Sequence, residues 1–176
     1  MGWSSKRAYL LAMVILAAAG GLLLLATGMP WLIADGIGQA ALGPAGQQQW
    51  SGEQVAPLAR AVGLVALAGI AGTVASRGKG RIAVGVVLAL AGVVGAWSAI
   101  TTAVAPVAPS SPGEPVHATA WPWLAFAAGA VIASSGAVVA SIGARWPGLG
   151  SRYQRDAARA ARSPWEALDD GQDPTA

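Results

Sequence analysis

The sequence predicts an all-α integral membrane protein, a bundle of four transmembrane helices followed by a cytoplasmic amphipathic tail. Three observations carry that prediction. Apolar residues make up 55% of the 176-residue chain and charged ones only 11%, against about 25% in soluble domains. The apolar residues are massed in blocks at 8–27, 58–76, 82–104 and 121–144, each near the ~20 residues that a helix needs to cross a ~30 Å hydrocarbon core. The 11 prolines fall outside these blocks or at their edges, as at Pro30, Pro57, Pro122 and Pro147, so each helical ladder stays unbroken, as lipid requires.

The first block follows Lys6 and Arg7 within a short N-terminus, 1–7, which also fits the opening of a cleavable secretory signal. The run exceeds the 7–15 residues of a signal's apolar region, and the small residues Ala17 and Ala19 fall inside it, so it reads as an uncleaved anchor. A loop at 28–57 follows, with turn signals at Asp35-Gly36 and Gly43-Pro44 and room for a short hairpin. The second and third blocks are joined by a basic turn at 77–81. The loop at 105–120, with Pro106, Pro109, Pro112 and Pro115, reads as extended and mobile.

Orientation follows from charge, because basic residues stay on the cytoplasmic side. Ten of the 11 Lys and Arg flank one side only: Lys6 and Arg7, then Arg77, Lys79 and Arg81, then Arg145, Arg152, Arg155, Arg159 and Arg162. Both termini are thus expected in the cytoplasm, and the net charge of +3 reflects topology rather than affinity for nucleic acid.

Within the blocks, small residues recur four apart: Ala59 and Gly63, Ala68 and Gly72, Gly85 and Ala89, Ala91 and Gly95, and Ala125, Gly129 and Ala133. That spacing stacks them on one helix face and lets backbones approach closely. Of the eight Trp, five (Trp3, Trp31, Trp121, Trp123 and Trp146) sit at predicted boundaries, where headgroup-level anchoring is expected.

Composition also excludes chemistry. With no cysteine and the single histidine His117, no metal centre, cofactor or His-paired nucleophile is expected, and the outer carboxylates Asp35, Glu53 and Glu114 show no paired spacing. No Asp, Glu, Lys or His lies inside a block, which disfavours a proton-coupled carrier. A ligand path would rest on Arg60, about one turn inside the outer edge, and Trp97, which has Ser98, Thr101 and Thr102 nearby. Snorkelling accounts equally for Arg60.

The tail, 145–176, carries more pattern. Arg152, Arg155, Arg159 and Arg162 fall on one side of a helix, suited to the anionic lipids of the inner leaflet. Ser163-Pro164-Trp165-Glu166 then reads as a new helix start that presents Trp165 and Leu168 to a cytosolic protein partner.

The chain resembles the actinobacterial tryptophan-biosynthesis-associated membrane proteins, encoded in or near tryptophan operons. The resemblance rests on Trp31, Ser51-Gly52 through Pro57, Trp121-Pro122-Trp123-Leu124-Ala125, Arg145-Trp146-Pro147 through Arg152-Tyr153, and the ending Trp165-Glu166-Ala167-Leu168-Asp169 with Gly171, Asp173, Pro174 and Thr175. Glu166 stands where Asp is more frequent in that family. The resemblance implies a plasma-membrane protein linked to tryptophan metabolism and supplies no catalytic or binding residues. The expected role is that of a non-enzymatic scaffold or accessory protein acting through its tail. The alternative is a small homo-oligomeric transporter or exporter of tryptophan or a related aromatic metabolite.

Overall fold

The computed structural model describes residues 3–34, 48–107, 109 and 115–143. In chain order these form α1 (Trp3–Gly28), β1 (Pro30–Ala34), β2 (Gln48–Ser51), α2 (Gly52–Val55), α3 (Pro57–Ala75), α4 (Lys79–Val104), β3 (Val116–Ala118) and α5 (Trp121–Ile142). The chain divides into two compact units, Met1–Trp146 and Pro147–Ala176. The second, with Arg152, Arg155, Arg159, Arg162, Trp165 and Leu168, lies outside the described residues, as do Asp35-Gly36 and Gly43-Pro44.

Among the described residues, four helices are long and apolar enough to cross a bilayer: Tyr9–Gly28 within α1, and α3, α4 and α5. Proline starts two of them, at Pro57 and Pro122, where its missing N–H is no loss. Gly78, with φ +52°, reverses the chain between α3 and α4, a conformation that a side chain resists. The four long helices alternate in direction. α1 packs on α3 and α5, and α4 on α3 and α5, which closes the ring.

On α4 the buried face is made mostly of small residues and is no more apolar than the exposed one. α4 buries Gly85, Gly92, Gly95, Ala96 and Ala99, while Val87, Leu90 and Val93 are exposed on its other side. Such a helix has no polar face to turn away from the core, because its outer surroundings are lipid. Shape therefore decides which side is buried.

The tightest contact shows how. Gly85 lies against Ala140, Gly92 against Ala133, Gly136 against Ala89 and Gly129 against Ala96, in constant antiparallel register along α4 and α5. A Cβ on Gly85, Gly92 or Gly136 would come within 2.3–2.4 Å of the facing backbone nitrogen, so only glycine fits. The four-then-three spacing of Gly85, Ala89, Gly92 and Ala96 is the period at which two helices stay in contact over many turns. Gly20 and Gly63 make a similar crossing of α1 and α3. Of the small pairs expected from spacing, Gly85/Ala89 and Ala125/Gly129/Ala133 meet in the α4–α5 seam. Gly63 faces α1 while Ala59 is buried in the core, and Gly95 receives Val62 of α3.

The two loops at the other end of the helices from Gly78 meet in a three-stranded antiparallel sheet of order β2-β1-β3. Leu32 of β1 faces Trp50 on one side and Ala118 on the other. The sheet adds to the helical fold what the sequence reading left as a possible hairpin and a mobile loop.

Gly92→Ala and Gly136→Ala should each lower stability by about 1–3 kcal/mol through overpacking, whereas Gly21→Ala, with nothing within 4 Å, should be neutral or stabilise by up to about 1 kcal/mol. Thermal unfolding of the three variants in one detergent tests this.

Candidate functional site

Polar groups converge at the two ends of the bundle. At the Gly78 end the node is Arg81, on the first turn of α4 and only 2% exposed. Its Nε donates to the Thr73 carbonyl at 3.1 Å, Nη1 to the Gly143 carbonyl at 3.0 Å and Nη2 to the Ser76 carbonyl at 3.2 Å. The guanidinium carbon also lies 5.8 Å from the centroid of the Tyr9 ring of α1. Thr73 and Ser76 belong to the last turn and cap of α3, and Gly143 caps α5. These are the carbonyls that a helix leaves without partners at its C-terminus.

The dipoles of both helices place negative partial charge where the guanidinium sits, so the electrostatics and the hydrogen bonds agree. A flat fork of five N–H donors can reach three carbonyls on two helices at once, which an ammonium on a flexible stem does poorly. Gly143 makes room for it: a Cβ there would lie 3.0 Å from Cδ of Arg81.

At the sheet end the indole of Trp31 is fully buried and its Nε1–H donates to the Ala26 carbonyl of α1 at 2.7 Å. Gly52 lies directly under the ring, where a Cβ would fall 2.4 Å from it, and its N–H donates to the Met29 carbonyl. Thr119 ties in the second loop: its N–H donates to the Trp31 carbonyl at 2.9 Å and its hydroxyl to the Pro30 carbonyl at 2.8 Å. Trp31 is thus a core side chain under the sheet and not the membrane-surface anchor expected of it. Trp123, 51% exposed, does lie on the surface.

The residues expected to line a ligand path lie on neighbouring helices at this end. Arg60 pairs with Glu53 of α2, and both side chains remain about half exposed. Trp97 is 70% exposed on α4. By the register in which Val62 meets Gly95, the two residues share a level along the bundle. The two threonine hydroxyls near Trp97 are already bonded within α4: Thr101 donates to the Trp97 and Ser98 carbonyls, Thr102 to that of Ser98. His117 sits exposed on β3, and no group of three metal-ligating side chains occurs among the described residues.

Sequence reasoning counted Arg81 as a topology charge and missed its burial. A residue 62 positions away supplies one of its acceptors, and no local pattern marks that pairing. Arg81→Met should destabilise the bundle by about 2–4 kcal/mol, since three carbonyls lose a charged donor, and Arg81→Lys should recover only part of this. Arg77→Gln, at an exposed position, should change stability by less than about 0.5 kcal/mol. Denaturation in detergent, followed by near-UV circular dichroism of the Trp residues, separates the three.

The comparisons with known proteins point one way. No curated protein sequence and no solved structure shows significant similarity to the chain. The sequence profile of one family, described as tryptophan-associated transmembrane protein, matches residues 13–175, which takes in most of α1, all of α3, α4 and α5, both loops of the sheet and nearly all of the tail. The chain therefore belongs to the tryptophan-associated transmembrane protein family.

Proposed function

We propose that this membrane protein is a scaffold or accessory subunit linked to tryptophan biosynthesis, seated in the plasma membrane with both termini cytoplasmic and acting without catalysis through its tail. The observation that carries the reading is how the bundle uses its own polar groups. Thr27, Thr73, Arg81 and Thr102 are the buried polar residues among those described, and each donates to a backbone carbonyl of the protein itself. A substrate path through one protomer needs groups free to replace a solute's water shell. The glycine seam between α4 and α5 favours a fixed, closed bundle, which suits a platform better than a carrier that must rock between two states.

The orientation rests on the basic residues at one end. Arg77 and Lys79 are exposed there, next to the buried Arg81, and α5, which the basic stretch follows in the sequence, ends there at Gly143. The tail reading rests on the arginine spacing at 152–162 and the short capped segment bearing Trp165 and Leu168.

Topology is testable with single cysteines, since the chain has none of its own. A membrane-impermeant thiol reagent applied to intact cells should label Gln48→Cys and leave Ala176→Cys unlabelled until the cells are opened. External labelling at position 176 would reverse the orientation. Truncation after Arg162 should leave insertion and abundance unchanged and remove recovery of cytosolic partners from native membranes. If the truncated chain recovers the same partners and fully complements a deletion strain, the tail reading fails. Altered tryptophan efflux in that strain would then favour the oligomeric transporter.

A further inference from the structure

The α4–α5 seam is closed, but the neighbouring seam between α3 and α4 is not. There Leu88 inserts its side chain over Gly69, and beside it Ala68 and Gly72 of α3 and Ala83 and Val87 of α4 leave an open groove of about 340 Å³. No side chain of α4 fills it: a Cβ on Gly72 would meet only Val84, at 3.4 Å. Every residue lining the groove is apolar or glycine.

The groove runs toward the Gly78 turn, where two cations stand. Lys79, Ala83 and Val87 follow one another at four-residue spacing and so share a face of α4, which puts Lys79 one turn, about 6 Å, beyond the groove lining. Helical side chains lean toward the helix N-terminus, so the ammonium reaches away from the apolar lining toward the membrane surface. Arg77, in the turn itself, follows the end of α3. Both are exposed, and Glu53, at the opposite end of the bundle, is the one acidic residue among those described.

We infer that the α3–α4 hairpin binds one anionic phospholipid, with an acyl chain in the groove and the phosphate against Arg77 and Lys79. Basic positions between transmembrane helices take anionic headgroups in this way, and the apolar groove places the hydrocarbon directly beneath them. Charge argues against a second copy of the chain, since a copy in the same orientation would set its own Arg77 and Lys79 against these cations and bring to that end no acidic residue among those described. The site is distinct from the arginine face expected in the tail and does not depend on the scaffold reading.

The test uses the full chain in neutral detergent, titrated with phosphatidylglycerol or phosphatidylcholine and read by native mass spectrometry. Phosphatidylglycerol should be retained preferentially, and inorganic phosphate at the same concentration should not displace it. Arg77→Gln combined with Lys79→Gln should weaken its retention by about tenfold or more with the melting temperature of the lipid-free protein unchanged. Ala68→Phe, which fills the groove and leaves both cations in place, should also release it. Ala83→Leu serves the same purpose should Ala68→Phe fail to fold. The preference should persist when Arg152, Arg155, Arg159 and Arg162 are all changed to Gln. Equal retention of the two lipids overturns the inference. So does retention unaffected by the paired cation change or by groove filling, or loss of the preference in the tail variant. A dimer that the groove-filling change converts to monomer overturns it in favour of a second copy.

Discussion

A helix in lipid can satisfy every backbone group except those at its ends, and the rest of this structure depends on how those ends are closed. At the Gly78 end a single buried guanidinium serves two helices, taking up carbonyls of Thr73, Ser76 and Gly143 while resting near the ring of Tyr9. At the other end the indole N–H of Trp31 serves α1, and the loops pair with each other as strands instead of presenting open backbone. Both solutions join parts of the chain that are far apart in sequence. Closing the helix ends and fixing the relations among the helices are thus one event.

Between the ends, cohesion comes from contact and not from the hydrophobic effect, since the lipid outside is as apolar as the core. The glycines of α4 and α5 bring backbone against backbone, so that contact is broad and the register has no freedom to slide. The α3–α4 seam is built on the opposite plan, with Leu88 inserted over Gly69 and small residues left uncovered beside it. One seam of the bundle is therefore held by backbone contact and the other by side chains set over glycines, Leu88 over Gly69 and Val62 over Gly95.

The spans were legible because each is a long apolar run, and that signal survives without any knowledge of partners. Four-residue spacing found Gly85/Ala89 and Ala125/Gly129/Ala133 but missed Gly92 and Gly136, whose period alternates four and three. Spacing alone also treated Ala68/Gly72 as equivalent to the others, although that pair faces the groove. Arg60 was recognised as the lone cation of its end. Its partner Glu53 was not, because the two are brought together by the short turn of α2, whose cap is a bond from the Ser51 N–H to Gln54. Trp31 was misread for a related reason. A tryptophan next to proline at a predicted boundary looks like an anchor whether it faces lipid or, as here, lies under a sheet whose third strand comes from another loop. β3 itself is three residues in a proline-rich stretch, too short for any alternation to show.

The pairing of β1 with β3 has a consequence for how the protein is made. Leu32 leaves the ribosome before α3 and α4 exist, yet its partner Ala118 is synthesised only after both. The carbonyls of Pro30 and Trp31 cannot be taken up by Thr119, nor the sheet completed, until α3 and α4 have entered the bilayer and α5 is about to follow. Long-range strand pairing of this kind must wait on loop closure and comes late in folding. The sheet thus closes as a latch on an assembly whose helices are already threaded, and a chain halted before β3 carries an unpaired strand edge on the translocated or retained side of the membrane. Quality-control proteases that read unpaired edges would meet that edge only in incomplete or misassembled copies.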